Sequence, residues 1–332
     1  MQISSILDIV DGELLNSPSI SFIYSIKTDV SKVKQGDLFI VRDVEDIPLA
    51  INNGAFALIL DENHIITDNE IAWIKVKNIN NSIIQLVRFK LAISNLQAFY
   101  CNDVSYDLLE VFESSSSKKI TFVSKNIDNL FKQLDDMDHD DILICSNKIL
   151  LDKIYPNNKN FSTRLNTIEI ENLVEHSLFE CSFTYNNIYF TKLKIASIYI
   201  TAFLHVFEFF ACDFDFSKLK SFHHFKPLFL DKNLTLLEFG KSDKFVVCQD
   251  NKTLIGKEIL YIKEKYKYAK TLFVTTTYLD ILDINEQVIL ENISDLKSLL
   301  KSSSFNAIYL INYNYNEVYE YLQKEEKPLT LF

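Results

Sequence analysis

Five glycines in 332 residues set the tightest limit on this chain. They are Gly12, Gly36, Gly54, Gly240 and Gly256, and no two stand close together. A loop that cradles phosphate needs successive backbone N–H groups turned toward the ligand, in conformations that side chains resist. Neither a Walker loop nor a dinucleotide fingerprint can be written with glycines this far apart. A conventional nucleotide site is therefore excluded before any element is assigned.

The remaining pattern is that of an α/β protein. Short apolar runs at 37–41 (DLFIV), 55–60 (AFALIL) and 71–76 (IAWIKV) read as buried strands, with a short helix at 48–53 closed by Gly54. Residues 82–100 carry apolar side chains at helical spacing, with Ser82 as N-cap, and read as a helix linking two domains. The middle is less regular: strands at 108–112, 120–123 and 141–145, and a hairpin of 179–185 with 188–193 turning at Asn186-Asn187. Beyond residue 231 strands alternate with helices, at 244–248, 253–268, 271–275, 293–301, 307–311 and 317–324. That alternation predicts a mostly parallel sheet.

Composition narrows the class. With 48% hydrophobic and 24% charged residues the chain can bury a large core. Its net charge of −11 argues against a nucleic-acid partner, because phosphate backbones demand a basic surface. The five cysteines are scattered and form no CxxC pair, which argues against zinc and disulfides and for reduced, cytoplasmic thiols. The N-terminus lacks a basic region before its apolar stretch and does not read as a signal peptide. Residues 195–212 are strongly apolar but include His205 and Glu208, so they read as a buried helix and not as a membrane span. The acidic run at 135–141 and the pair His223-His224 lack the further ligands of a calcium or zinc site. No metal is expected.

One segment has a familiar wording. Asp29, the Gly36-Asp37-Leu38-Phe39 turn and strand, and Gly54-Ala55 resemble the first domain of the Mur ligases, most of all the D-alanyl-D-alanine-adding branch. These enzymes extend the UDP-linked peptidoglycan precursor with ATP. The resemblance continues weakly at 109–122, where Ser114 to Ser117 and Lys118-Lys119 stand near the position of the family's phosphate loop. It continues at 193–229, without the family's His-Asn pair. It ends at Asp250 and Asn251, where the family places a turn that positions nucleotide and amine.

The resemblance implies a three-domain α/β architecture: an N-terminal domain at 1–80, a reduced central domain at 81–230 and a C-terminal, mostly parallel α/β domain at 231–332. It implies Ser116, Ser117, Lys118 and Lys119 as a vestigial phosphate loop, with a polar surface turn as the alternative. It implies Asp29, Asp250 and Asn251 as substrate-binding positions, and no catalytic residue. The expected function is binding without ligation, toward a cell-wall precursor or a wall-synthesis protein, with no bound cofactor. A divergent active ligase would instead use ATP and Mg²⁺ through Lys118 or Lys119. An unrelated α/β protein is the third reading.

Overall fold

The computed structural model describes residues 1–94, 96–116, 119–123, 126–134, 140–161, 169–210 and 214–324. The chain divides into two compact units, Met1–Arg164 and Leu165–Phe332. The division runs through the 81–230 stretch.

The first unit holds two sheets. Strands β1 (Glu13–Leu14), β2 (Ile26–Lys27), β3 (Leu38–Ile40), β4 (Ala57–Leu60) and β5 (Ala72–Lys75) lie in the order β1-β5-β4-β3-β2. All neighbours are parallel except β1 with β5. Side chains of a strand alternate between faces, and here both faces are covered. Leu38, Ile40, Ala57, Ile59 and Ile74 face one core with helix α1 (Ile3–Val10). Phe39, Val41, Leu58, Leu60 and Trp73 face another with α2 (Ile47–Asn52). Two of the five glycines work here: Gly54 takes φ 91° just beyond α2, and its carbonyl accepts from the N–H of Gly36 at 2.9 Å.

Helix α3 (Ile79–Ala92) follows, and two expectations change. Its N-cap is Asn78, whose side chain accepts from the N–H of Asn81 at 3.0 Å, while Ser82 is buried within the helix and bonds back to the Asn78 carbonyl. Residues 97–100 belong to a strand, β6 (Gln97–Tyr100), and not to the helix end. Helix α3 stands in the chain between the strands of the two sheets of this unit and packs within it. Ile83, Leu86, Val87 and Leu91 share a core with α1 and with Leu150, Leu151 and Ile154 of α6 (Lys148–Ile154).

The second sheet is parallel, β7 (Ile120–Phe122), β8 (Ile142–Cys145), β6 and β9 (Lys159–Asn160) in that order. The strand expected at 108–112 is helical instead: α4 spans Asp103–Phe112. Val104, Leu108, Leu109 and Phe112 are buried at helical spacing, and a short apolar run alone cannot distinguish the two periods. Helix α5 (Leu130–Leu134) lies between β7 and β8.

The second unit opens with an antiparallel sheet, β10 (Glu171–Ser177), β11 (Glu180–Tyr185) and β12 (Ile188–Leu193). Asn186 and Asn187 both take positive φ, as a two-residue hairpin turn requires. Helix α7 (Ile200–Phe209) packs its phenylalanines on β12, Phe207 lying 5.1 Å from Phe190. No helix among the described residues is long and apolar enough to cross a membrane.

The last sheet has six strands. An edge hairpin of β13 (Pro227–Leu230) and β14 (Leu236–Leu237) leads into the parallel set β15 (Phe245–Gln249), β16 (Thr271–Thr275), β17 (Gln287–Ile289) and β18 (Ala307–Ile311). The spatial order is β14-β13-β15-β18-β16-β17. Helices α9 (Leu296–Ser302) and α10 (Tyr315–Gln323) cover the face of Val246, Cys248, Ile308 and Leu310. Helix α8 (Lys252–Lys265) covers the other, where its Glu258 meets Gln249 and Tyr309.

The two motif glycines give a direct test. A Cβ on Gly54 would stand 2.9 Å from the Gln35 Cα, at a φ that side chains rarely adopt. Gly54→Ala should cost about 1–3 kcal/mol, seen as a lower urea midpoint in the fluorescence of Trp73, the chain's one tryptophan. An unchanged midpoint would show that this turn does not hold the sheet.

Candidate functional site

Strands β15 and β18 are neighbours, and the chain leaves them for helices on opposite faces. Their carboxyl ends form a topological switch point, where open α/β sheets open a crevice. Gln249, Asp250 and Asn251 stand on one side of it, Asn312 and Asn314 on the other. Asn251 caps α8 by accepting from the Thr253 N–H at 3.0 Å, and Asn314 caps α10 by accepting from the Asn316 N–H at 3.0 Å. Asp250 bridges the crevice, its carboxylate accepting from the Asn314 amide at 3.0 Å. Asn312 sits in the left-handed region and donates its backbone N–H to the Gln249 carbonyl at 2.8 Å. The expected positions Asp250 and Asn251 thus stand at the carboxyl edge of the sheet, joined to Asn314 across it.

Beneath the crevice lies a charged group that composition did not reveal. Glu258 is fully buried in α8. The hydroxyls of Tyr199 and Tyr309 donate to its carboxylate, and so does the Gln249 amide at 2.8 Å. The same Gln249 accepts from the Asn251 N–H at 2.9 Å and lies 3.4 Å from the His224 ring nitrogen. Burial pushes the Glu258 carboxyl up, and the three donors only partly oppose that. Burial, and then the neighbouring carboxylate, push the Tyr199 and Tyr309 hydroxyls up as well. A buried acid is tolerable when its oxygens are satisfied, and this set fixes the end of β15 to α8. His223 turns the opposite way and lies against Tyr315 in a tilted arrangement, with ring centroids 5.1 Å apart, so the two histidines face different surroundings. Among the described residues no group of three or more His, Cys, Asp or Glu could hold a metal ion.

The first unit has a second switch point, between β6 and β8. The connection from β6 to α4 is Cys101 and Asn102 alone. Asn102 caps α4 by accepting from the Ser105 N–H at 2.9 Å, and Asp103 adds a carboxylate to the first turn. Both Cys101 and Cys145 are buried there, and burial pushes their thiols up, away from the reactive thiolate.

The serine-lysine run lies elsewhere. Ser117, Lys118 and residues 135–139 of the acidic run fall outside the described residues. Ser116 follows a single turn at Glu113–Ser115 after α4, and Lys119 directly precedes β7. In a parallel sheet the amino end of β7 lies on the edge opposite the carboxyl end of β6. The expectation of a strand running into this loop is corrected: a helix precedes it and a strand follows.

Asp29 caps a short turn, Val30–Lys32, by accepting from the Ser31 N–H at 3.0 Å and its hydroxyl at 2.6 Å. Those bonds hold its carboxyl below the usual range. A neighbouring polar cluster joins the two sheets of this unit: Arg42 pairs with Asp128 and also donates to Asn80 at 2.7 Å. Sequence reasoning missed Gln249, Glu258, Asn312 and Asn314. The strands that end in Gln-Asp-Asn and Asn-Tyr-Asn carried a signal, since an asparagine just after an apolar run reads as a helix cap.

The Glu258 cluster makes two predictions. Glu258→Leu leaves three buried donors without their acceptor and should cost about 3 kcal/mol in urea unfolding. With its folded titration raised above the unfolded 4.5, wild type loses stability as pH rises through that window. Relative to wild type, Glu258→Gln should therefore gain stability as pH rises above about 4.5. Parallel stability profiles would show that the carboxyl titrates normally.

No family model matches the sequence, and no curated protein matches it. Solved structures do. Over 90% of this chain and 97% of the other, it matches the MurF ligase of Thermotoga maritima in complex with ADP, with a TM-score of 0.56 at 12% identity. A structure of MurF from Acinetobacter baumannii matches over 98% and 99% with a TM-score of 0.57 at 8% identity. The D-alanyl-D-alanyl ligase of Acinetobacter baumannii that acts on a UDP-N-acetylmuramoyl peptide matches with a TM-score of 0.53 at 10% identity, over 97% of each chain. The likeness runs from end to end, and the chain has the mixed α/β, three-domain fold of the Mur ligases.

Proposed function

We propose that the chain is a non-catalytic Mur-ligase-like protein that works by binding in the context of peptidoglycan precursor synthesis. The observation that carries this reading is the turn from β6 to α4. A phosphate loop spans about eight residues and is built on glycine, whereas Cys101 and Asn102 span the gap here. The Asn102 side chain occupies a donor at the helix N-terminus, and Asp103 repels an anion from it. ATP-dependent ligation needs the phosphates cradled and their charge neutralised, each at a few kcal/mol of transition-state stabilisation. A site lacking several such groups retains little rate.

What supports a binding role is the polar edge at the ends of β15 and β18, where Gln249, Asp250 and Asn251 are joined to Asn314 and Glu258 by hydrogen bonds. By analogy with the ligase that carries a UDP-N-acetylmuramoyl peptide in its name, the ligand is such a precursor or a protein that handles it. The alternative, a divergent ligase using Lys118 or Lys119, is disfavoured because Lys119 directly precedes β7, at the edge of the sheet opposite the carboxyl end of β6.

The test is a ligation assay with purified protein, ATP, Mg²⁺, a UDP-muramoyl tripeptide and D-alanyl-D-alanine. No phosphate release and no amide product are expected. Product formation that Lys118→Ala or Lys119→Ala abolishes would establish the alternative, and product formation untouched by both would place catalysis elsewhere. Either would end the non-catalytic reading.

A further inference from the structure

A cleft of about 800 Å³ opens beside the edge strand β14, within the second unit and on the α9 and α10 side of the sheet. Its lining gathers Lys226, Lys297, Lys301 and Lys324, with Glu238 as its carboxylate. That is a local excess of cations on a chain whose net charge is −11. Lys226 is half-buried. It donates to the Lys220 carbonyl at 2.6 Å and lies 4.9 Å from the centre of the Tyr315 ring. Lys297 donates to the Lys324 carbonyl and lies 5.4 Å from the Tyr321 ring. Among the described residues, neither of these two ammonium groups is held by a carboxylate. Burial lowers the Lys226 titration, as it must for a cation taken from water without a counter-ion.

The walls are built to hold this shape. Phe225, which precedes Lys226, and Leu234, in the turn between β13 and β14, both take positive φ, at 53° and 66°. Bulky residues rarely adopt that conformation, and such strain persists where packing enforces it, often at ligand clamps. Phe225 is buried and Leu234 nearly so. Tyr315 and Tyr319 stack on one another, with ring centroids 6.3 Å apart, and line the cleft with flat apolar surface.

We propose that this cleft binds an extended acidic peptide, with carboxylates on Lys297, Lys301 and Lys226 and its backbone along β14. Three features select this ligand class over a phosphate compound. Lys297 and Lys301 are one turn apart on α9, which sets them about 6 Å apart. That matches alternate side chains of an extended chain, which recur every ~6.6 Å. Strand β14 ends the sheet, so its outer backbone edge is available for strand addition. The lining has neither the arginine fork nor the glycine turn that suit phosphate. The inference is independent of whether the chain ligates anything.

The experiment is fluorescence anisotropy with the intact protein and a labelled six-residue peptide of alternating glutamate and leucine. Saturable binding that weakens with added salt is expected, because the pairing is electrostatic. The glutamine counterpart should bind at least about tenfold more weakly, and so should the double variant Lys297→Gln with Lys301→Gln. That variant alters one half-exposed and one exposed residue, and its thermal midpoint should match wild type. Lys226→Gln should weaken binding also; if it unfolds the turn, the double variant still decides. Equal binding of the glutamine peptide, or undiminished binding by a folded double variant, would overturn the proposal. So would stoichiometric displacement by inorganic pyrophosphate, which would make the cleft a phosphate site.

Discussion

The side-chain amide of asparagine caps five helices of the described residues just after a strand, and it shapes the carboxyl edges of the sheets. Asn78 stands between β5 and α3, Asn102 between β6 and α4, and Asn147 between β8 and α6. Asn251 and Asn314 do the same for α8 and α10. Each accepts a helix-terminal N–H at 2.9 to 3.0 Å. A glycine-rich loop leaves those donors for a phosphate, whereas an asparagine cap occupies one of them and shortens the turn. The scarcity of glycine and the closure of these edges are two sides of one choice.

The same constraint separates the two switch points. At β6 the turn is closed and its neighbours Cys101 and Cys145 are buried, so little polar surface is left to recognise anything. At β15 and β18 the caps are tied to one another through Asp250 and to the interior through Gln249 and Glu258. That edge is polar, and its side chains are hydrogen-bonded to one another. The sheets that carry the two edges have separate cores, on Ile59 and Leu143 in the first unit and on Val246 and Ile308 in the second.

Much of this was legible in the residues. The continuous apolar runs at β3, β4, β15 and β18, the Asn186-Asn187 turn and the helix stop at Gly54 follow from periodicity and turn chemistry alone. Other parts were not. The run 108–112 is apolar in both periods, and only the placement of its neighbours makes it a helix. Strand β6 sits where the helical spacing of α3 continues in Ala98 and Phe99, so periodicity alone does not mark that boundary. The Glu258 cluster draws Tyr199, Gln249 and Tyr309 from distant parts of the sequence, so no local pattern could announce it. The Asp29 carboxylate had a plain local reading, as a cap, beside the one the family resemblance implied.

Calorimetric titration of the purified protein with ATP and Mg²⁺ tests the central claim most directly. No saturable heat at millimolar ATP is the predicted result, because the β6 edge has neither the length nor the donors to hold the phosphates. Stoichiometric, Mg²⁺-dependent binding would contradict it and would mean that nucleotide is held by groups other than a strand-to-helix loop.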